Sequence, residues 1–478
     1  MKWRFSSVIK VAAAAFASVL PFMASETQAM PSFARQTGMV CNSCHIGTDN
    51  VPNFTRTGRI FAMRGYTRPI VREKLRADGQ TVDGEEQYGG DYLSLNWMDF
   101  FAGRFISEFA SQSKTNGVKS DVTSTPLARF AMFYTGPITD WLGLWTEVGY
   151  LGNNNLINVN TQNPSLQSGA ATGLNLFAYD EYRLSTSRMI NDNSFIGMSL
   201  GNEPGDVVTQ FVFPLGIPRF MSLGQGGVGK SDNMATLSLH AFLNDQLWLQ
   251  FAPNTGLTNT SWSNGWNQYY AIAWDAFRKT DNDLWLGFEY MRGNDAPSVM
   301  TPVKTSFICT ATCPPGVSDA GGLSFSNTLG GRAVAGAPVE TVDTWKTWSY
   351  RAEWDVADMG PHSWVAMFQG NGVRQDFVSG GSVKRDLAGL YLRYFYKRTY
   401  GFYASWAHDF NYKYTDPIGN SHDFGNTNSK NITLLWNPAM NFSVHLSISP
   451  NSQNAVYNRD TQSPNTTSSW SLGAEYSF

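Results

Sequence analysis

The segment Leu390-Tyr391-Leu392-Arg393-Tyr394-Phe395-Tyr396-Lys397 decides the fold. Side chains of an extended chain point alternately to opposite faces, so Leu390, Leu392, Tyr394 and Tyr396 share one face while Arg393 and Lys397 share the other. One face suits lipid and the other water, and a strand of that kind belongs to a wall between the two. The same period of two appears where Trp348, Tyr350, Ala352 and Trp354 alternate with Thr347, Ser349, Arg351 and Glu353. It recurs where Leu284, Leu286, Phe288 and Tyr290 alternate with Trp285, Gly287 and Glu289.

From about Asp91 onward the chain repeats this unit of roughly ten residues followed by a break, which is the pattern of a transmembrane β-barrel. About sixteen such segments are expected, from one starting near Leu93 to one starting near Ser469. The connections between them alternate in length. Ile138 to Asp140, Asn244 to Gln246, Thr280 to Asn282 and Asn437 to Met440 are short. Gly152 to Gly173, Asn202 to Asn233, Asn294 to Asp343 and Pro450 to Thr467 are long and rich in Gly, Asn, Ser, Thr and Pro. Outer-membrane barrels carry short periplasmic turns and long external loops, whereas a propeller or sandwich has no reason for that asymmetry. The closing strand, Trp470 to Phe478, alternates and ends on an aromatic, similar to the terminal strand that bacterial barrel-assembly machinery recognises.

Composition agrees. The 478 residues include 16 Trp, 20 Tyr and 44 Gly, with 14% aromatic and only 15% charged residues, where a soluble domain typically carries about 25% charged. Mean hydropathy is −0.27, because lipid-facing and lumen-facing residues cancel in any window. A formal charge of −3 and a pI of 6.1 exclude the basic footprint of a nucleic-acid binder. Lys2, Arg4 and Lys10, the apolar run Val11 to Leu20, and Thr27-Gln28-Ala29 read as a cleaved export signal, with the mature chain starting at Met30. The expected organisation is a signal peptide over 1–29, a small helical segment over 30–90 and the barrel over 91–478.

The four cysteines form two pairs with different chemistry. Cys309 and Cys313 lie in the longest expected external loop with no histidine beside them, and a local disulfide is expected there. Cys41-Asn42-Ser43-Cys44-His45 has the spacing of covalent haem c attachment, in which two thiols take the vinyl groups and the adjacent imidazole takes the iron. Zinc would need further ligands nearby, and a redox disulfide would need a βαβ frame; neither is present. His45 is the only histidine before the barrel, so a methionine is the expected distal ligand. Met63, near the end of a short helix expected over Asn53 to Arg64, is better placed than Met39 or Met98.

Pro31-Ser32-Phe33-Ala34-Arg35-Gln36-Thr37-Gly38 before the motif, and Gly58-Arg59-Ile60-Phe61-Ala62-Met63-Arg64-Gly65-Tyr66 after it, resemble the fused cytochrome-porins of iron-oxidising bacteria. The family commonly has an aromatic directly before the Gly-Arg pair, and here Thr57 stands there. The resemblance implies one haem c held by Cys41, Cys44 and His45, framed by Phe33, Arg35 and Gln36. It also implies oxidation of extracellular Fe(II), with the electron passed to a periplasmic carrier such as a cytochrome or copper protein.

The expected fold is thus an all-β barrel of about sixteen antiparallel strands in the outer membrane, embedded in its lipid, with the haem segment plugging the lumen. Both termini are expected on the periplasmic side. No general acid, base or nucleophile is expected. Arg351, Glu353, Arg393 and Lys397 are expected to line the interior, and Asp319 and Asp376 are candidate transient iron contacts. The alternative is a solute-diffusion porin with an accessory haem segment, and a third reading runs electrons outward.

Overall fold

The computed structural model describes residues 32–33, 43–46, 54–66, 100–138, 141–151, 178–201, 236–254, 267–277, 282–293, 342–378, 380–409, 411, 413–415, 419, 421–423, 428–439, 442–458 and 463–477. Nineteen strands make one sheet. Three of them, Val118–Lys119, Lys413–Thr415 and Ser421–Asp423, are short ribbons on top of longer neighbours. The other sixteen span the wall. These are β1 (Phe101–Thr115), β2 (Thr123–Pro137), β3 (Leu142–Leu151), β4 (Ala178–Asn191), β5 (Ser194–Gly201), β6 (Thr236–Leu243), β7 (Leu247–Asn254) and β8 (Asn267–Asp275). They continue as β9 (Asn282–Gly293), β10 (Val342–Met359), β11 (His362–Phe377), β12 (Ser382–Tyr396), β13 (Tyr400–Asp409), β14 (Asn428–Ala439), β15 (Phe442–Asn458) and β16 (Ser463–Ser477).

Each strand pairs antiparallel with its neighbour in the chain. β1 pairs with β16 from Arg104↔Ser477 to Thr115↔Thr467, which closes the barrel and leaves no open edge. The alternation seen in the sequence sets the two faces. Tyr350, Trp354 and Leu390 point outward with 43%, 42% and 51% of their surface exposed, while Arg351, Glu353 and Arg393 point inward and are buried. An apolar outside and a polar inside are what a bilayer demands of a closed barrel. No helix among the described residues is long and apolar enough to cross a membrane.

Seven tight connections join β2 to β3, β4 to β5, β6 to β7, β8 to β9, β10 to β11, β12 to β13 and β14 to β15, all at one end. The start of β1 and the end of β16 lie at this same end. The opposite end carries the long connections, with three exceptions, the first being the β1–β2 connection, which turns at Asn116 and Gly117 with Thr115 paired to Val118. Pro450 to Thr467, expected as a loop, is instead mostly paired backbone, with Ser452↔Thr467 through Asn458↔Ser463 extending the β15–β16 hairpin. An arm beyond the membrane has water on both sides, so it needs no apolar alternation, and its Asn, Ser and Thr residues conceal it from a pattern reading. The β11–β12 connection is also tight, closed by Gly380 N–H donating to the Phe377 carbonyl at 2.8 Å.

Lys397 corrects a second expectation. With φ of 49° it sits beside Arg398, at 60°, in the β12–β13 turn. Two successive positive φ angles are the signature of the primed turns that match strand twist. Lys397 is therefore exposed in a turn and not part of the lumenal wall.

The one described helix of regular length, α1 (Arg56–Met63), lies inside the barrel. Its Phe61 and Ala62, with Phe54 and Tyr66, pack against Ala102, Ala131, Phe133 and Trp145 of β1 to β3. Its Met63 and Ile60 pack against Phe195, Phe242, Trp248, Ala273 and Trp285 of β5 to β9. All of these wall residues sit toward the tight-turn ends of their strands, so the helix occupies that half of the lumen.

Candidate functional site

The site starts from the residues around Cys44 and His45. Thr55 caps α1: its backbone is extended, with φ −61° and ψ 165°, and its hydroxyl accepts from Gly58 N–H at 3.2 Å. The same hydroxyl donates to the Ser43 carbonyl at 2.6 Å, and Thr55 N–H donates to the Cys44 carbonyl at 2.9 Å. His45 bridges Phe54 across an antiparallel pair, with ring centroids 4.9 Å apart. The Cys44-His45 turn is thus fastened to the first turn of the helix.

Gly58 is what permits this approach. A Cβ there would lie 2.2 Å from the Cys44 carbonyl oxygen, inside hard contact and against backbone that has no rotamer to move. Gly58→Ala is therefore expected to push the turn off the helix. The expected readout is faster protease cleavage between Ser43 and Phe54 in the detergent-solubilised chain, with the barrel itself intact. Unchanged cleavage would contradict the contact.

His45 is half-buried, and its Nδ1, shielded from solvent, has no hydrogen-bond partner among the described residues. Burial, reinforced by the positive charge of Arg393, lowers its pKa to about 4. The ring is neutral at ordinary pH, which is the protonation state a metal-ligating imidazole requires. A thiol and a neutral imidazole on one pinned turn fit haem c attachment. Cys41, Arg35 and Gln36 lie outside the described residues, as do Cys309, Cys313 and Asp319. Phe33 is described and stacks on Tyr66 at 4.8 Å and on Trp145 at 6.1 Å, joining the N-terminal segment to β3. Beside it, Ser32 and Thr135 share a hydrogen bond of 3.0 Å.

Met63 is brought to a different place. It is five residues beyond Gly58, which puts it about 140° around the helix from the face that meets Cys44. There it is enclosed by Phe195, Phe242, Trp248 and Trp285. Asp376 is exposed on the outer face of β11 and accepts from the Thr344 hydroxyl at 3.2 Å. Among the described residues no group of three or more His, Cys, Asp or Glu side chains is arranged to hold a metal ion.

What the sequence reading missed is how the helix is held. Arg59, with no exposed surface, sets Nη2 at 2.8 Å from Glu353 Oε1 and 2.7 Å from Asp355 Oδ2, and its guanidinium lies 4.9 Å from the centre of the Trp285 ring. Burial acts against its charge, but Glu353 and Asp355 outweigh this and hold its pKa above the usual arginine value. One turn earlier, Arg56 Nε sits 2.9 Å from Asp275 Oδ2, and its Nη2 donates to the Asp245 carbonyl at 2.5 Å. At the other end, Arg183 donates to the Ala62 carbonyl at 3.3 Å and Ser187 to the Arg64 carbonyl at 3.1 Å. The wall thereby satisfies two carbonyls at the buried C-terminal end of the helix. Gly65, at φ 70°, turns the chain where a Cβ would strike Ser185.

Glu353 and Arg351 were legible as lumenal from strand parity, and Asp355 and Asp275 share that signal. Nothing in the sequence paired them with two arginines roughly two hundred to three hundred residues earlier.

No protein-family model matches the chain, and no curated protein matches it. Solved structures do resemble it in fold. The in-vitro-folded outer-membrane protein OmpT of Vibrio cholerae aligns at 10% identity over 79% of this chain and 96% of that one, with a TM-score of 0.44. An anion-selective porin from Comamonas acidovorans aligns at 10% identity over 79% and 98%, with a TM-score of 0.43. OprB of Pseudomonas putida aligns at 12% over 82% and 97%, with a TM-score of 0.47. The closed antiparallel barrel is itself the architecture of outer-membrane proteins, and the chain is one of them.

Proposed function

We propose that the protein is an electron conduit of the fused cytochrome-porin kind, taking electrons from extracellular Fe(II) and delivering them to a periplasmic carrier. The observation that carries this reading is the N-terminal segment inside the lumen, with Cys44 and His45 pinned to a helix that buried ion pairs fix to the wall. A c-type haem held by Cys41, Cys44 and His45 would supply a one-electron iron couple at that point.

The chain's own residues do the rest. Thr55 and Gly58 hold the attachment turn against α1. Partial burial keeps His45 neutral, and Arg59 and Arg56 of the helix, with Arg183 and Ser187 of the wall, tie the helix to four different stretches of the wall. A short helix needs this, because a segment of about 40 residues or fewer rarely folds alone. With the tight-turn end facing the periplasm, as in other outer-membrane barrels, the helix stands at the periplasmic half of the lumen. The outer half is then the approach for a reductant.

The test is to mix purified holoprotein with ferrous iron and follow the haem α-band. Appearance of the reduced band is expected, and its absence would overturn the iron assignment. A second variant addresses the distal ligand, for which the spacing nominated Met63. Because Met63 packs away from Cys44, Met63→Leu is expected to keep the parent visible spectrum. Loss of a sulfur-ligand signature in that variant would instead make Met63 the ligand.

The second reading is a solute-diffusion porin, and the polar lumen formed by residues such as Gln369 and Asn371 favours it. In planar bilayers a conduit with its helix docked is expected to show no stable porin-sized channel. A steady open channel from the holoprotein would favour the porin.

A further inference from the structure

The outward face of the barrel carries a pattern that the redox reading does not use. Strand register places Arg292 of β9 opposite Lys346 of β10, Lys346 opposite Arg374 of β11, Arg374 opposite Lys384 of β12, and Lys384 opposite Lys413 of the ribbon above β12. Residues directly opposite across antiparallel strands point to the same side with Cβ atoms about 5 Å apart, and like charges so placed repel. Five cations in one unbroken row are therefore costly unless anions offset them.

Among the described residues the chain supplies little. Asp386 serves both Arg374, at 2.9 Å, and Lys384, at 3.9 Å. Asp423 is the register partner of Lys413, and Asp376 stands one outward position beyond Arg374, bonded to Thr344. Among the described residues Arg292 is bonded to the neutral Gln268 side chain, at 2.8 and 3.0 Å. Among the described residues Lys346, flanked on both sides by arginines, has no ion pair.

The row sits at the long-connection end, and what lies beneath it follows the order of a bilayer leaflet. Below Lys346 come Trp348, Tyr350, Ala352 and Trp354; below Arg292 come Tyr290, Phe288 and Leu286. The rings of Trp348 and Tyr350 cover Gly372 and Gly370, where a Cβ on β11 would come within 2.2 Å of ring atoms. Further down, small Ala352, Ala366 and Ala404 floor an apolar depression of about 750 Å³, rimmed by Trp354, Phe368 and Trp406. Headgroup-level cations, an aromatic shelf and an apolar groove continue one another down the same strands.

We propose that this row is a binding site for a phosphorylated, multiply acylated lipid of the surrounding leaflet. Phosphate groups meet Arg292 and Lys346, and acyl chains run over the shelf toward the groove. The charge is what selects the occupant: a second barrel would bring its own identical cations to a symmetric contact, whereas a phosphate monoester brings the missing anions. Nothing in the site depends on the N-terminal segment.

The test uses the full chain in detergent, titrated with a bisphosphorylated acylated disaccharide lipid and read by quenching of tryptophan fluorescence and by native mass spectrometry. The double variant Arg292→Gln, Lys346→Gln is expected to weaken binding by about 30-fold, at roughly fivefold per cation near a lipid surface. Lys114→Gln with Lys119→Gln, exposed on the β1 flank, is expected to leave it unchanged. The dephosphorylated lipid is expected to bind the parent chain far more weakly, a comparison that stands even if the double variant fails to fold. Equal binding of the two lipids would mean ordinary annular contact and overturn the proposal. So would displacement of the lipid by an equal concentration of inorganic phosphate, or a double variant that binds like the parent.

Discussion

Replacing Cys44 by alanine, together with Cys41, is expected to leave a chain that assembles in the outer membrane but carries no covalently bound chromophore after denaturation. Both thiols are needed for two thioethers, and His45 alone gives only a coordinate bond that denaturant breaks. The check is haem staining of a denaturing gel beside a pyridine haemochrome spectrum. The parent is expected to stain at the full-length position and the variant not at all. Equal staining would remove the attachment assignment. The variant should also lose order around α1 more than in the wall, because the turn at Cys44 abuts Gly58 whereas the barrel closes through β1 and β16 without it.

The second large effect is at Arg59. Arg59→Ala leaves Glu353 and Asp355, both buried, facing each other without their shared cation. Removing one partner of a buried ion pair typically costs about 3–5 kcal/mol, which shifts the docking equilibrium of α1 by roughly a hundredfold to several thousandfold. Planar-bilayer recordings are expected to change from quiet to frequent porin-sized openings. If uncompensated charge is the cause, adding Glu353→Gln and Asp355→Asn to Arg59→Met should restore much of the quiet state, since replacing a whole buried charge cluster is often neutral. Openings unaltered by Arg59→Ala would show that the helix does not gate the lumen through this contact.

The wall was legible because a bilayer imposes period two on every crossing strand. Leu390 to Tyr396 and Trp348 to Trp354 fall on the faces that their alternation required, and the count of sixteen follows from repeating that reading. Legibility ended where the bilayer ends. Asn454 to Asn465 pair as strands with no apolar alternation to announce them, and Lys397 kept the parity of its strand while its backbone had already turned.

In the candidate site, Cys44 and His45 were nominated from adjacent residues, and the structure places them together on the turn against α1. Phe33, expected as part of a frame around the haem, stacks on Tyr66. The long-range partners were not legible. The pairings of Arg59 with Asp355 and Arg56 with Asp275 depend on where a helix stops inside a cylinder, and no local pattern encodes that. Spacing nominated Met63 as a distal ligand, and it could not show that Met63 would also pack among Phe195, Phe242, Trp248 and Trp285.

The central claim is that the N-terminal segment sits inside the barrel. Ser32 Oγ and Thr135 Oγ1 are 3.0 Å apart and buried, so a chain carrying Ser32→Cys and Thr135→Cys is suited to test it by oxidation in intact membranes and mass spectrometry of the digested protein. A disulfide-linked peptide pair joining positions 32 and 135 in most of the molecules is the result the account predicts. Both peptides recovered unlinked, from protein that is folded and inserted, would contradict it.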